Sequence, residues 1–350
     1  MNDQPLQFAA AFAELTSAAG IAPPTVSRVF DAILAGHWTP VQVAGFVVAL
    51  RIRGEDAATI AAAARSMRAA MVAVEHDFEL LLDTCGTGGD GLGTLNLSTG
   101  AAIIAASAGV PVAKHGNRAI SSRTGAADVL EALGVPIDLP AAAAAPLLRE
   151  VNIAFMLAPT HHPAMRHAAV ARRELGIRTV FNCLGPLANP ARATHQLLGA
   201  YDGALRKLLA ETLNALGTRR AWVVHGRDGL DEVSPCTETD VTELSGGRLQ
   251  ELCISPEDFG LPRSPKGCVA GGDAAANAAV LEQVLAGERH PATDAFVLNA
   301  AAALVVAQNL EPKVAAERAL NAIESGAARS TLQRWRDAAR RRRSETGEHG

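Results

Sequence analysis

The segment that decides the predicted fold is Asp83-Thr-Cys-Gly-Thr-Gly-Gly-Asp-Gly-Leu-Gly-Thr-Leu-Asn-Leu-Ser-Thr-Gly100, in which five of the eight residues from 86 to 93 are glycine. It overlaps the end of Leu80–Thr84, which predicts a buried strand, and runs into Thr99–Ala108, which predicts a helix. Glycine leaves backbone N–H groups open to an anion, and a helix N-terminus adds positive potential. A strand, a glycine loop and a helix in this order therefore predict a phosphate site at the carboxyl end of a strand.

Two common phosphate loops fit this segment poorly. Gly86–Gly91 matches GxGxxG, but the predicted helix begins only near Ser98, and no acidic residue occupies the later segment Pro111–His115. A Walker A loop needs a lysine, and the segment contains none. A pyrophosphate cradle with an internal carboxylate, Asp90, placed to reach a metal ion fits better. Polar groups near the predicted helix start would add donors: Thr94, Asn96, Ser98 and Thr99.

A second polar cluster follows the next predicted strand, Val110–Ala113. Lys114 suits a phosphate as a point charge, and the amide of Asn117 both donates and accepts hydrogen bonds. Hydroxyl groups come just before the next predicted helix: Ser121, Ser122 and Thr124. Two neighbouring strand ends thus deliver an acidic glycine loop and a basic, amide-rich loop to one edge of a sheet.

The chain around these loops alternates between strands and helices. Further predicted helices are Gly125–Leu133, Pro163–Leu175 and Ala204–Leu216, and further predicted strands are Ile153–Ala158, Gln196–Tyr201 and Ala221–His225. This alternation predicts a mostly parallel sheet with helices on both faces. Val241–Leu244 and Leu249–Ile254 flank Ser245-Gly-Gly247 and predict a hairpin.

The two ends of the chain read as helical. In the first 78 residues, Thr39 and Pro40 predict a helix start, Gly54 a stop, and Asp56 a second start. The chain from Gly271 onward also predicts helices. Four consecutive arginines, Arg340–Arg343, are interpreted as a solvated helix end, because no aromatic residues interleave them.

Composition limits the class of protein. Hydrophobic residues make up 49% and charged residues 19% of 350, which indicates a compact globule, and the net charge of −4 provides no basic field for nucleic acid. The five cysteines are widely spaced without a CxxC pair, which predicts a reducing, cytoplasmic setting. No signal peptide is predicted. The apolar runs are shorter than the roughly 18 residues of a membrane span.

The ordered motifs closely resemble the anthranilate phosphoribosyltransferases over nearly the whole chain. The motifs that carry the resemblance are Gly86-Thr-Gly-Gly-Asp90, Asn96-Leu-Ser-Thr99, Lys114-His-Gly-Asn-Arg118, Ala127-Asp-Val-Leu-Glu-Ala-Leu-Gly134, His162-Pro-Ala-Met165, Arg172, Gly176-Ile-Arg-Thr179, Asn182-Cys-Leu-Gly-Pro-Leu-Ala-Asn-Pro190, Gly229-Leu-Asp-Glu-Val-Ser234, Gly271-Gly-Asp-Ala274 and Leu298-Asn-Ala-Ala-Ala-Ala303. Two elements depart from the common pattern: the serine-rich stretch, usually Ser-Ser-Lys-Ser-Gly-Ser, is Ser121-Ser-Arg-Thr-Gly-Ala126 here, and Ala276 precedes Asn277 where the family usually has Glu-Asn. These departures put in doubt only whether the side chain at position 126 contributes to the predicted site.

The resemblance implies an α/β fold of the class III/IV phosphoribosyltransferase and nucleoside phosphorylase type: a mostly parallel central sheet with flanking helices plus a small all-helical domain. Residues 1–78, joined by a helical segment near 163–194, would form the helical domain. Residues 79–162 and 195–345 would form the α/β domain. A homodimer through the helical domain is implied as well.

The implied reaction transfers the phosphoribosyl group of PRPP (5-phosphoribosyl 1-pyrophosphate) to the amine of anthranilate, the second committed step of L-tryptophan biosynthesis. The implied PRPP contacts are Gly86, Gly89, Asp90, Thr94, Asn96, Ser98, Thr99, Lys114 and Ser122. The implied anthranilate contacts are Gly86, His115, Asn117, Arg172 and Pro186. Magnesium, up to two ions per subunit, would be served by Ser98, Asp231 and Glu232.

An aryl amine is neutral at pH 7, so positioning and electrostatics are expected to outweigh any single acid or base. His115 is the one candidate catalytic residue, either accepting a proton late or stacking and hydrogen bonding. Two alternatives remain: a pyrimidine nucleoside phosphorylase of the same fold, and a non-catalytic relative that binds nucleic acid. The glycine loop lacks the Lys-His-Ser-Thr-Gly-Gly pattern of the first, and the chain lacks the surface basicity expected of the second. No nucleic acid or membrane partner is therefore expected.

Overall fold

The computed structural model describes residues 6–119 and 123–347. Its first helices are α1 (Phe8–Thr16), α2 (Pro23–Leu34), α3 (Pro40–Arg53) and α4 (Ala57–Ala69). Thr39 begins α3 through a reciprocal capping box with Gln42, and Asp56 caps α4 by accepting a hydrogen bond from Thr59 N at 2.7 Å. Both predicted helix starts are confirmed.

A single seven-stranded sheet follows. Its strands are β1 (Leu82–Gly86), β2 (Val112–Gly116), β3 (Ile153–Leu157), β4 (His195–Gly199), β5 (Arg220–Gly226), β6 (Thr239–Ser245) and β7 (Arg248–Ile254). They lie in the order β3-β2-β1-β4-β5-β6-β7. The first five strands are parallel, and β6 and β7 form an antiparallel hairpin at one edge. The predicted mostly parallel sheet and its terminal hairpin are confirmed.

The remaining helices cover the sheet. They are α5 (Leu97–Ser107), α6 (Ala126–Ala132), α7 (Ala141–Val151), α8 (Ala158–His161), α9 (Arg166–Leu175), α10 (Val180–Leu187), α11 (Leu205–Ala215), α12 (Ala274–Leu285), α13 (Thr293–Gln308), α14 (Pro312–Glu324) and α15 (Ala327–Gly347). Within the described ranges, no single helix is long and apolar enough to cross a membrane, although α13 and α14, bent by 119°, meet the length and composition criteria as a pair.

Several predicted boundaries were wrong by about two residues. The two strands that precede the polar loops were expected to end at Thr84 and Ala113, but β1 continues to Gly86 and β2 to Gly116. The sheet supplies the reason: β1 stays in register with β4 as far as Gly86, and β2 with β3 as far as Gly116. Polar residues inside these strand ends are tolerated because the sheet pairs their backbones and the site pairs their side chains.

Two helices have irregular sequences. α7 was not predicted, and Pro146 within it removes one backbone donor from the helical pattern. The predicted helix Pro163–Leu175 is divided into a 3₁₀ turn, Pro163–Met165, and α9. Just before this turn, His161 ends the one-turn helix α8.

Two hydrophobic cores lie on opposite faces of the sheet. Trp222 and Val224 of β5 pack in one core with α5 and α13, whereas Ala221 and Val223 pack in the other with α2, α3, α4 and α10. Side chains alternate across a strand, so one strand supplies both cores. The helices α9, α10 and α11 pack against the N-terminal helices and attach them to the sheet.

Candidate functional site

The site lies where the carboxyl ends of β1, β2, β4 and β5 meet. The glycine loop, residues 87–96, connects β1 to α5, and the acidic pair Asp231 and Glu232 follows β5. At Gly199, the end of β4, an added Cβ would lie 1.7 Å from the Asp231 carbonyl oxygen. Only glycine lets the acidic segment approach the sheet this closely.

The acidic pair binds amides of the glycine loop and of the following helix. Asp231 Oδ2 accepts a hydrogen bond from Gly88 N at 3.1 Å, and Glu232 Oε1 accepts one from Ser98 N at 3.0 Å. Ser98 lies in the first turn of α5, where free N–H groups and the helix dipole favour an anion. The Asp231 and Glu232 carboxylates therefore accept hydrogen bonds from backbone amides that were predicted to bind a phosphate.

Burial, together with neighbouring carboxylates, raises the pKa values of the two acidic residues. Burial first, and then the charges of Glu232 and Asp90, raise the pKa of Asp231 well above its usual range. Burial raises the pKa of Glu232 to about 7, opposed mainly by the charge of Lys114. Asp90 Oδ2 is buried with no hydrogen-bond partner within residues 6–119 and 123–347. This group of acids would gain from a nearby cation.

Lys114 is a buried cation that lies near the acidic residues Asp83 and Glu232. Its side chain is 1% exposed, and Nζ donates to the Thr84 carbonyl oxygen and, at 3.3 Å, to Ser98 Oγ. Burial lowers the pKa of Lys114, while the charges of Asp83, Cys85 and Glu232 raise it. The buried cation is thus held among acidic groups on both sides.

His115 is a neutral imidazole within a histidine cluster. Its Nδ1 lies 3.0 Å from the Gly185 carbonyl oxygen, and its Nε2 is buried without a partner among the described residues. Burial first, and then His162 and His161, lower the pKa of His115 to about 3. The His162 ring lies 5.1 Å away, centroid to centroid. An imidazole in this environment accepts a hydrogen bond more readily than a full proton.

Other predicted PRPP contacts lie at the end of the glycine loop and the start of α5. Asn96 Oδ1 accepts a hydrogen bond from Asn277 Nδ2 at 3.0 Å, and Thr99 Oγ1 is buried with no hydrogen-bond partner in the part of the chain that the structure describes. The backbone of Thr94 forms an isolated bridge with Ala270. These contacts connect the loop end to the first turn of α12 and to Ala270 before it. Ser122 lies outside the described residues.

The predicted anthranilate contacts are spread over four segments: β1, the end of β2, α9 and α10. Asn117 Oδ1 accepts from Arg118 N at 2.8 Å just after β2, and Pro186 lies inside α10. Arg172, on α9, has its guanidinium carbon 5.5 Å from the centre of the Phe181 ring. Within the described ranges, Arg172 makes no hydrogen bond or ion pair with another site residue.

Sequence reasoning missed three residues of the site. Asp83 is fully buried and accepts hydrogen bonds from His115 N at 3.1 Å and Asn189 Nδ2 at 2.8 Å, and burial raises its pKa to about 6. Arg178 donates to the Gly89 carbonyl oxygen. A charged residue inside a predicted buried strand was the available signal for Asp83. Asn189 and Arg178 lie in motifs shared with the family that the chain resembles, but the neighbouring residues in the sequence did not indicate what these two side chains contact.

Within residues 6–119 and 123–347, no group of three or more His, Cys, Asp or Glu side chains is arranged to hold a metal ion. Magnesium commonly binds through one or two carboxylates together with substrate phosphates and water. The pair Asp231 and Glu232 has that chemistry, so the residues fit a metal that arrives with a phosphorylated substrate.

Two family profiles match the chain. The profile described as a glycosyl transferase family α/β domain matches residues 79–329, and the helical bundle domain of that family matches residues 23–71. Together they span both helical and sheet-containing parts.

Relatives cover almost the whole chain. The anthranilate phosphoribosyltransferase of Myxococcus xanthus is 50% identical over 311 residues, which is 88% of this chain and 91% of the relative. The solved structure of that enzyme from Thermus thermophilus matches with a TM-score of 0.87 and 43% identity, covering 91% of this chain and 96% of the other. The Saccharomyces cerevisiae enzyme matches in a complex with PRPP and Mg (TM-score 0.87, 29% identity) and in one with 4-fluoroanthranilate (TM-score 0.87, 27% identity), each covering 95% of this chain and 97% of the other. By profile, identity and fold, the chain belongs to the anthranilate phosphoribosyltransferases of the glycosyl transferase family.

Proposed function

We propose that the protein transfers the 5-phosphoribosyl group of PRPP to the amine of anthranilate, giving N-(5-phosphoribosyl)anthranilate and pyrophosphate in tryptophan biosynthesis. The observation that carries the residue assignment is the pair of hydrogen bonds from Gly88 N to Asp231 and from Ser98 N to Glu232. It joins an amide-lined anion site to two carboxylates at one edge of a parallel sheet. Pyrophosphate and the metal that accompanies it need these two chemistries side by side.

The glycine loop and the start of α5 would hold the pyrophosphate and ribose of PRPP. The contributing residues would be Gly86, Gly89, Asp90, Thr94, Asn96, Ser98, Thr99, Lys114 and Ser122. Backbone amides and the buried Lys114 cation favour negative charge that grows on the leaving pyrophosphate. For the amides to reach PRPP, the Asp231 and Glu232 side chains would turn from these donors toward a cation.

The metal would be Mg²⁺, held by Asp231, Glu232 and Ser98, with up to two ions per subunit. Asp90 Oδ2, buried with no hydrogen-bond partner among the residues that the structure describes, and the raised pKa values of Asp231 and Glu232 support a cation at this position. When bound, Mg²⁺ neutralises phosphate charge and so makes pyrophosphate a better leaving group.

Anthranilate would bind between the sheet edge and α9–α10. The forked guanidinium of Arg172 matches a carboxylate, while Asn117, Pro186, Gly86 and His115 would bound the ring and amine. His115 has a pKa of about 3, which supports a hydrogen-bond acceptor or stacking partner rather than a strong base. As pyrophosphate leaves, the neutral amine attacks C1 of the ribose and then releases a proton. Positioning would supply most of the rate enhancement.

The subunit would be organised in two domains. Packing of α9 and α10 against α2, α3 and α4 supports a helical domain of residues 1–78 with the segment 163–194, and an α/β domain of residues 79–162 and 195–345. The helical domain would form a homodimer, and exposed Val41 and Ile52 on α3 supply apolar surface for it. Free cysteines support a cytoplasmic location.

The experiment is a fluorescence assay with purified protein, PRPP, Mg²⁺ and anthranilate, following the loss of anthranilate emission. We expect a loss that requires all three additions and stops when a chelator removes Mg²⁺. Thymidine with inorganic phosphate is the matched control for phosphorylase activity. No loss of emission with intact PRPP, or phosphorolysis of thymidine, would overturn the proposal.

A further inference from the structure

Arg178 connects the helical side of the molecule to the glycine loop. It lies between α9 and α10, and its guanidinium donates to the carbonyl oxygen of Gly89. The guanidinium carbon also lies 3.5 Å from the centre of the Tyr201 ring, just beyond β4. A cation so close to an aromatic face is attracted by the ring electrons. One side chain thus contacts both the loop and the segment beside it.

The backbone around Arg178 is fixed from the helical side. Arg51, on α3, donates to the Arg178 carbonyl oxygen. Thr179 N donates to Asn182 Oδ1 at 3.0 Å, which begins α10. The base of the Arg178 side chain is therefore anchored by a hydrogen bond from α3 and by the start of α10, and these contacts set its reach toward the loop.

Tyr201 is tied to the same loop by a second route. Its backbone N donates to Thr87 Oγ1 at 2.9 Å, and Thr87 N donates to the Gly199 carbonyl oxygen at 2.8 Å. Thr87 and Gly89 are therefore both held, one by the Tyr201 backbone and the other by the guanidinium that covers the Tyr201 ring. Gly88, between them, is the residue whose N–H binds Asp231.

The contact at Gly89 has a direct consequence for the anion site. In a trans peptide, the carbonyl oxygen and the following N–H point in opposite directions. By holding the Gly89 carbonyl, Arg178 also fixes the direction of the Asp90 N–H, which then points away from the guanidinium. An added Cβ at Gly89 would lie 2.7 Å from Arg178 Nη2, so the two residues are closely fitted.

We propose that Arg178, stacked on Tyr201, is a positioning residue that holds the 87–90 peptides in the orientation that binds the pyrophosphate of PRPP. The inference rests on the proposed function and adds to it a link from α3 to the anion site. Arg178 differs from a residue that contacts substrate, because its guanidinium already binds the Gly89 carbonyl oxygen and stacks on the Tyr201 ring. Removing the Arg178 side chain should weaken PRPP binding and leave anthranilate binding nearly unchanged.

The test compares four variants with the wild type: Arg178→Ala, Arg178→Lys, Tyr201→Leu and Tyr201→Phe. Arg173→Ala, an exposed arginine on α9, is the matched control. We expect Arg178→Ala to raise the KM for PRPP about tenfold, since losing a charged hydrogen bond has that order of effect, and to change the KM for anthranilate less than about twofold. Arg178→Lys and Tyr201→Phe should recover most of the affinity. Tyr201→Leu should resemble Arg178→Ala. A fifth protein that combines Arg178→Ala with Tyr201→Leu should bind PRPP no more weakly than either single variant.

Calorimetric binding of PRPP with Mg²⁺ to the same proteins separates this inference from the proposed function, since it needs no turnover. Wild-type protein that binds PRPP but does not consume anthranilate would count against the proposed acceptor and leave the binding comparison valid. An unchanged PRPP affinity in Arg178→Ala and Tyr201→Leu would overturn the positioning role. So would equal losses for both substrates. If Arg178→Ala fails to fold, the PRPP affinities of Tyr201→Leu, Tyr201→Phe and Arg178→Lys still test the positioning role.

Discussion

Asp231 Oδ2 lies 3.1 Å from Gly88 N, so a carboxylate from the loop after β5 binds an amide of the glycine loop. The same carboxylate would serve Mg²⁺ when substrate is present. In the proposed metal site, the Gly88 amide and Mg²⁺ would therefore compete for the Asp231 carboxylate, and substrate binding would move it from one to the other.

Asp231→Asn should raise the Mg²⁺ concentration for half-maximal activity about tenfold, because a neutral amide oxygen binds Mg²⁺ more weakly while still accepting from Gly88 N. A titration of activity against Mg²⁺ at saturating PRPP measures this change. Glu288→Gln, at an exposed position, is the control. A Mg²⁺ dependence identical to the wild type would remove Asp231 from the proposed metal site.

Gly89→Ala should cost more than Gly91→Ala, although both glycines have positive φ, +83° and +77°. Each alanine is strained by about 1 kcal/mol in that conformation. Only at position 89 does the new Cβ also meet Arg178, at 2.7 Å, whereas position 91 has open space. The KM for PRPP and the melting temperature of both variants test the difference. Equal effects at the two positions would show that backbone strain alone matters.

Arg172→Ala should raise the KM for anthranilate about tenfold or more and leave the KM for PRPP within about twofold. The reason is the loss of a forked, charge-assisted pair of hydrogen bonds to the substrate carboxylate. Initial rates with each substrate varied in turn measure the two constants, with Arg173→Ala as control. A rise in the PRPP constant instead would place Arg172 at the other substrate.

The buried histidines should make the protein sensitive to acid. Burial lowers the pKa of His162 to about 4, so between pH 6.5 and 4 the unfolded chain binds a proton that the folded protein does not. The contribution of His162 to the free energy of unfolding is therefore fully present above pH 6.5. It decreases by roughly 3 kcal/mol as the pH falls toward 4.

His162→Gln should flatten that dependence, although His115 and His161 face the same cluster and retain their own contributions. Urea unfolding of the two proteins at pH 7, 5.5 and 4.5 compares their slopes, and His37→Gln, exposed before α3, is the control. Parallel curves for wild type and His162→Gln would show that this imidazole is protonated as readily in the fold as in the unfolded chain.

Local patterns carried much of the architecture. Helix starts at Thr39 and Asp56, the alternation of strands and helices, and the hairpin around Gly246 could be predicted because caps, periodicity and turn residues act over a few positions. The strand ends were predicted less well. Whether β1 stops at Thr84 or Gly86 depends on its neighbour β4, which is more than a hundred residues away in the sequence.

The sequence by itself determined the glycine loop, the polar residues at each strand end and the family to which the chain belongs. Only the tertiary structure decided which of them meet: Asp231 with Gly88, Asn189 with Asp83, and Arg178 with Gly89. The physical reason is that such contacts follow from the strand order β3-β2-β1-β4-β5 and from the packing of α10 against the sheet. Spacing along one segment specifies local hydrogen bonds and exposed faces, but it carries no information about which distant segment supplies the partner.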